Sequence, residues 1–112
     1  MKMMIVPLSK DGLEKLNFNC YTSEDVYQLT LTDIEIDTLF AIGFFQHINQ
    51  ALNIYIDDFE DTEIIDYRKL LIMKNIVGDY LRKHDEFHHI YQSIYKLICL
   101  ALEKETGLFF FF

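Results

Sequence analysis

Long segments with apolar residues at the spacing of an α-helix constrain the fold more than any other feature of the chain. The first begins at Thr32, which forms a capping box with Glu35, and continues to about Asn53. Apolar residues surround the middle of this segment on most sides, which is typical of a buried helix. We therefore expect one continuous helix at the centre of the fold.

Two further segments show the same periodicity. The second begins near Asp61 or Thr62 and ends at Lys83, with acids near its start and bases in its last turn, as the helix dipole favours. The third carries apolar residues on one face from residue 87 to residue 102, and Gly107 follows as a C-terminal stop. Three such segments predict three antiparallel helices.

The two ends of the chain are short apolar runs, Met3 to Val6 and Leu108 to Phe112, which are compatible with strands. Pairing the two runs would hide both from water, although the terminal phenylalanines could instead fold back against the helices. The alternation at residues 29–31 leaves another short strand open. The predicted fold is mainly α, a compact antiparallel helical bundle of one domain over residues 1–112, with short terminal β-strands as an addition.

Charge is segregated along the chain. The interval from Leu16 to Tyr67 contains eleven acidic residues and neither lysine nor arginine, whereas the rest of the chain carries all ten basic residues and seven acidic ones. The formal net charge is -8. Such a surface repels nucleic-acid phosphate and anionic lipid, so we expect no direct nucleic-acid binding and no membrane association. It attracts a basic protein instead.

The densest acidic stretch lies between the first two long helices and also contains aromatic residues. Protein interfaces combine charge, which steers the encounter, with aromatic anchors, which give affinity. The alternative is a solvated loop whose acids favour the start of a helix. We predict a partner-binding site made of Tyr55, Asp57, Asp58, Phe59, Glu60, Asp61, Glu63 and Asp66.

Catalytic and metal-binding signals are weak. No serine or cysteine nucleophile has a recognisable local signature, and no glycine-rich phosphate loop is present. His84 and His88 have the four-residue spacing of a zinc-binding pair, but Asp85 stands where metalloproteases have glutamate, and no third ligand is evident. The acidic stretch lacks the order of a calcium loop. We expect a protein that is not an enzyme and has neither cofactor nor metal.

The cysteine content and the N-terminal segment indicate the compartment. Cys20 and Cys99 are far apart in a chain without the cysteine density of a disulfide scaffold, so both are predicted to be free thiols. Pro7 interrupts the N-terminal apolar run before a signal-peptide core of useful length is reached. No segment approaches the roughly 20 apolar residues of a membrane-spanning helix. The expected location is the cytoplasm.

In size, acidity and its aromatic-rich acidic loop, the chain resembles the bacterial toxin-immunity proteins, in particular those of contact-dependent growth inhibition systems. The resemblance is one of profile over the whole chain and transfers no functional residue by position. It implies a cytoplasmic protein that neutralises a cognate toxin domain, often a basic nuclease and here a ribonuclease by preference, by occluding its active site or substrate groove. Phosphate charge would then be mimicked by Asp57, Asp58, Glu60, Asp61 and Glu63.

Two other functions remain open from the sequence. One is a small helical regulatory or adaptor protein that binds a partner through apolar helix faces or forms a homodimer. The other is a metal-dependent enzyme built on His84, His88 and nearby carboxylates. Salt distinguishes the first alternative from an immunity protein, because electrostatic binding weakens as ionic strength rises whereas an apolar interface changes little.

Overall fold

The computed structural model describes residues 2–83 and 86–112. These residues form five helices and one antiparallel sheet of four strands, in the spatial order β2-β1-β4-β3. In chain order the elements are β1 (Lys2–Pro7), α1 (Lys10–Asn17), β2 (Val26–Leu31), α2 (Asp33–Ala41), α3 (Phe44–Leu52), β3 (Asp61–Ile64), α4 (Tyr67–Lys83), α5 (His88–Lys104) and β4 (Leu108–Phe111).

The prediction of a mainly helical bundle is therefore wrong, because the fold is a mixed α/β one. The two terminal runs do pair with each other, as β1 and β4, with Met3 opposite Phe111 and Ile5 opposite Phe109. They form the centre of a sheet and not a small addition to a bundle, because each also pairs with an edge strand, β2 or β3.

The central strands β1 and β4 are apolar on both faces because both faces of the sheet are covered. One face is covered more fully than the other. Met4 and Phe110 point into the main core, which the long helices complete. Ile5 and Phe109 point to the opposite face, where Leu16 of α1 packs on them in a smaller cluster. Continuous apolar runs are typical of strands that are buried on both sides. The four terminal phenylalanines are thus divided between two cores.

The predicted central helix is interrupted. Its capping box is confirmed, because the Thr32 hydroxyl accepts from the backbone N–H of Glu35 and the Glu35 carboxylate accepts from that of Thr32. The helix nevertheless ends after Ala41, and Gly43 has a φ of 84° before α3 begins. Since this left-handed conformation is readily available to glycine, Gly43 allows the chain to turn there. The segment forms α2 and α3 instead of one helix.

Two more boundaries differ from the sequence prediction. Residues 61–64, predicted to begin a helix, are strand β3, and α4 starts only at Tyr67. Helix α1 lies outside the three predicted helices, and it begins where the Ser9 hydroxyl accepts from the N–H of Gly12. In the part of the chain that the structure describes, no helix has the length and apolar content needed to cross a membrane.

Candidate protein-binding surface

The strand register brings two acidic segments to the same end of the sheet. Lys2 at the start of β1 lies opposite Leu31 at the end of β2, and Asp61 at the start of β3 lies opposite Phe111 at the end of β4. The residues that follow β2 and those that precede β3 therefore lie at the same end of the sheet. We call it the acidic end. Its acids are Asp33 and Glu35 after β2, Asp57, Asp58 and Glu60 before β3, and Asp61 and Glu63 on β3 itself.

The two acidic segments stand at opposite edges of the sheet. Strands β2 and β3 are separated by β1 and β4, which corresponds to three interstrand spacings or roughly 14 Å. The carboxylates are consequently spread across the end of the sheet instead of being confined to one loop. This arrangement presents a broad negative surface on a sheet whose centre is buried.

The loop before β3 is fixed to the rest of the fold by hydrogen bonds. The Asn49 side chain on α3 accepts from the backbone N–H of Ile56 at 2.6 Å and donates to its carbonyl oxygen at 2.9 Å. The Thr62 hydroxyl donates to the carbonyl of Tyr55, and the N–H of Phe59 donates to the carbonyl of Phe112. With Ile56 buried as well, the loop is held at both ends.

The negative charge of Asp58 is paired within the protein. Its carboxylate forms an ion pair with Lys2, whose residue exposure is only 9%. The Lys2 ammonium also lies 4.3 Å from the centre of the Phe59 ring. This pair anchors the loop to β1 and leaves Asp58 little free charge for a partner. Among the described residues, Lys2 is the basic residue that enters the acidic end.

The aromatic residues predicted to anchor a partner are exposed. Tyr55 is 68% exposed and Phe59 is 85% exposed, and both lie in the loop before β3. Phe59 has a φ of 68°, in the left-handed region that costs a side-chain-bearing residue about 1–2 kcal/mol. Exposed aromatic side chains beside free carboxylates form the combination expected of a protein interface.

One predicted site residue lies elsewhere. Asp66 follows β3 and is therefore at the opposite end of the sheet from Asp61. Its carboxylate accepts from the backbone N–H groups of Arg68 and Lys69, at 2.8 Å and 3.3 Å. It thus satisfies N–H groups in the first turn of α4, which is a structural role. The structure brings together the other seven predicted residues.

Sequence reasoning missed the contribution of α2 to this surface. Asp33 and Ile34 are exposed at the start of α2, and Ile34 is 78% exposed. Glu35 lies beside them but is occupied by the capping box. Asp33 belongs to the interval from Leu16 to Tyr67 that has neither lysine nor arginine, so the sequence places it in an acidic segment. Only the sheet register reveals that Asp33 lies at the same end of the sheet as Asp61.

Near the opposite end of the sheet, Asp11 and Asp25 have a basic neighbour. Lys15 lies 3.3 Å from Asp11 and 3.6 Å from Asp25, and these carboxylates raise the pKa of the Lys15 ammonium, Asp11 most strongly. The pKa of Asp25 is lowered, chiefly because the backbone N–H of Thr22 donates to its carboxylate. Asp11 and Asp25 thus serve local structure.

The alternative expectations receive less support from the geometry. His84 lies outside the described residues, so the spacing of His84 and His88 stays a sequence observation. Across residues 2–83 and 86–112, no group of three or more His, Cys, Asp or Glu residues is placed to hold a metal ion. The apolar faces of α4 and α5 are turned inward, with Leu70 and Ile94 in the main core. An adaptor that binds through those helix faces stays an untested prediction.

No protein-family model matches the chain, and no curated protein matches it. Among solved structures, the fold is similar to that of the Neisseria DNA mimic protein DMP12, with a TM-score of 0.68 over 100% of both chains. The two sequences are 15% identical. At this identity the similarity establishes the fold alone, namely helices packed on a four-stranded antiparallel sheet.

Proposed function

We propose that this protein binds a basic, DNA-binding protein and presents carboxylates where that partner normally holds DNA phosphates. The proposed role is one of binding, not catalysis. The acidic end is the contact surface, with Asp33, Asp57, Glu60, Asp61 and Glu63 supplying charge. Ile34, Tyr55 and Phe59 supply apolar contact.

The main support for the proposal is that two acidic segments lie at the same end of the sheet. A surface built to attract phosphate attracts carboxylates for the same electrostatic reason. Because the loop before β3 is fixed by Asn49 and by the Lys2–Asp58 pair, its remaining charges are held in place before binding. Such pre-organisation reduces the entropy lost on association.

The structural neighbour adds support of a different kind. DMP12 is named as a DNA mimic, and it shares this fold over its full length. Transfer of that role to the present chain rests on the acidic end, since 15% identity is too low to carry function. The charge distribution favours the partner class that the neighbour's name suggests, a protein that recognises the DNA backbone.

A narrower form of the proposal is that the partner is a cognate toxin nuclease and that this protein confers immunity. A nuclease must hold phosphates in its groove, so the acidic end would occlude that groove directly. Co-expression of the chain with a basic nuclease domain encoded beside its gene tests this form, with survival of the host as the readout. If cells die despite a stable complex with another DNA-binding protein, only the narrower form is lost.

The broader proposal is tested by capture and displacement. The protein is immobilised, and proteins from a bacterial lysate that were retained by heparin are passed over it. A double-stranded DNA oligonucleotide is then used for elution, and each eluted protein is purified for affinity measurements. We expect the partner to leave the surface with DNA, because both ligands occupy the same groove.

Salt dependence provides the second readout. Raising salt from about 50 to 200 mM should weaken partner binding, but less steeply than it weakens the partner's binding to DNA. The reason is that a folded protein carries no condensed counterion layer comparable to that of the duplex. Simultaneous binding of DNA and this protein, or an affinity indifferent to salt, would contradict the proposal and favour an apolar interface.

A further inference from the structure

The second face of the sheet is only partly covered by α1 and contains a pocket of about 310 Å³. Its apolar part is formed by the rings of Phe109 and Phe111 together with Leu16. Phe109 is buried, whereas Phe111 is half-buried at the mouth of the pocket. The volume is near the lower limit of about 300 Å³ for ligand pockets, which suits a single side chain better than a large ligand.

Carboxylates form one wall of this pocket. Asp61 and Glu63 are alternate residues of β3, so their side chains point to the same face of the sheet. The register places Asp61 opposite Phe111 and Glu63 opposite Phe109. Directly opposed residues in an antiparallel pair have Cβ atoms about 4.5–5.5 Å apart. Each acid therefore stands beside an aromatic ring.

Both carboxylates are available to a ligand, as far as the described part of the chain is concerned. Among the described residues, Asp61 and Glu63 take part in no ion pair and no hydrogen bond through their side chains, and both are exposed. Asn17, at the end of α1, faces them across the pocket and adds an amide. The pocket thus combines two free negative charges, aromatic rings and a polar group.

We infer that this pocket receives an arginine side chain of the partner protein, an inference that rests on the proposed function. A guanidinium group is planar, stacks on aromatic rings and pairs with carboxylates through two parallel N–H bonds. Its aliphatic stem fits against Leu16 and Phe109. Charge complementarity selects a cation, and the rings select arginine over the more strongly hydrated ammonium of lysine.

The test uses N-acetyl-arginine amide as the probe, followed by amide NMR shifts of the isotope-labelled full chain. N-acetyl-citrulline amide is the matched control, because it has nearly the same shape without the charge. We expect saturable shifts at residues 61–63 and 109–111 with the arginine probe. The lysine analogue is expected to bind a few-fold more weakly, and citrulline is expected to leave the spectrum unchanged.

Single substitutions show which residues bind the arginine probe. Glu63→Gln is expected to weaken binding of the arginine probe about tenfold, because one charged partner is lost. Phe111→Leu keeps every charge but removes an aromatic ring, and it is expected to weaken binding of the arginine probe about fivefold. Glu24→Gln, which removes an exposed acid at the opposite end of the sheet, should change nothing. Unchanged shifts outside the pocket show that each variant is folded.

Three results would overturn the inference: no shift in the pocket at tens of millimolar probe, equal shifts with citrulline, or shifts spread over all exposed acids. A partner that binds the acidic end without any pocket response would remove this inference and leave the proposed function intact.

Discussion

Carboxylates stand at both ends of the sheet, but Asp25 at one end has a basic neighbour whereas Asp61 and Glu63 toward the other have none among the described residues. Near the start of β2, Asp25 accepts hydrogen bonds from Thr22 and lies beside Lys15. At the other end, Asp61 and Glu63 face a pocket without a basic neighbour among the described residues. Asp25 therefore stabilises the fold, whereas Asp61 and Glu63 remain available to a partner.

This difference affects stability as well as binding. Uncompensated like charges on one surface repel each other and lower the stability of the fold, so they are usually retained for function.

The largest effect is expected for Phe110→Ala. Phe110 is fully buried in the main core, so its truncation should lower the free energy of unfolding by about 3–5 kcal/mol. Phe111→Ala is the matched control, because the neighbouring ring is half-buried on the second face and should cost only about 1–2 kcal/mol. Urea denaturation measures both, and equal losses would contradict the assignment of the two rings to different faces.

The opposite end of the sheet depends on a close approach at Gly107. A Cβ there would lie 2.6 Å from Cγ2 of Ile65 and 3.1 Å from the carbonyl oxygen of Ile64, so Gly107→Ala should destabilise by about 1–3 kcal/mol. Gly78→Ala is the control within α4, where nearest contacts of 3.5 Å leave room. It should stabilise by about 0.5–1 kcal/mol. Thermal unfolding compares the two, and effects of the same sign would contradict this packing.

Removal of the Asn49 side chain tests how the loop is held. Asn49→Ala deletes both hydrogen bonds to Ile56 and should cost about 1–2 kcal/mol. The loss is local, so amide hydrogen exchange should accelerate in residues 54–60 while the α5 amides stay protected. Exchange that accelerates equally in both regions would show that the loop is not a separately held unit.

The smallest effects should have opposite signs at the two ends. Asp25→Ala should destabilise at neutral pH, because hydrogen bonding lowers the pKa of Asp25 in the folded state. That contribution is complete above the unfolded value of about 3.9 and disappears as the pH falls through the lower folded pKa. Glu60→Gln should instead stabilise slightly, within about 0.5 kcal/mol, by relieving repulsion. Denaturation midpoints of both variants across this pH range provide the test.

The sequence predicts some of these features directly. The capping box at Thr32, the pairing of the terminal apolar runs and the position of the acidic loop are local or strongly apolar signals. Strand β3 is different, because Asp-Thr-Glu-Ile has a weak strand preference and acids that suit a helix start. Its pairing with β4 decides its conformation. This contact lies more than forty residues away in the chain.

The contribution of Asp33 to the acidic end could not be predicted from the sequence, for the same reason. Asp33 and Asp61 are brought to one end by strand register, which depends on packing across the whole sheet. The pairing of Lys2 with Asp58 likewise follows from that register and not from any local pattern. The aromatic residues of the terminal run look alike in the sequence, yet alternation places Phe110 in the core and Phe111 at the pocket.

The central claim is that the acidic end, and not acidity in general, binds the partner. Two variants lower the negative charge by the same four units: Asp57→Asn, Glu60→Gln, Asp61→Asn and Glu63→Gln in one, and Glu14→Gln, Glu24→Gln, Glu103→Gln and Glu105→Gln in the other. The measurement is the dissociation constant of the DNA-displaceable partner by calorimetry. Neutralising the acidic end should weaken binding about a hundredfold and the control less than about threefold. Equal losses in the two variants would contradict the account.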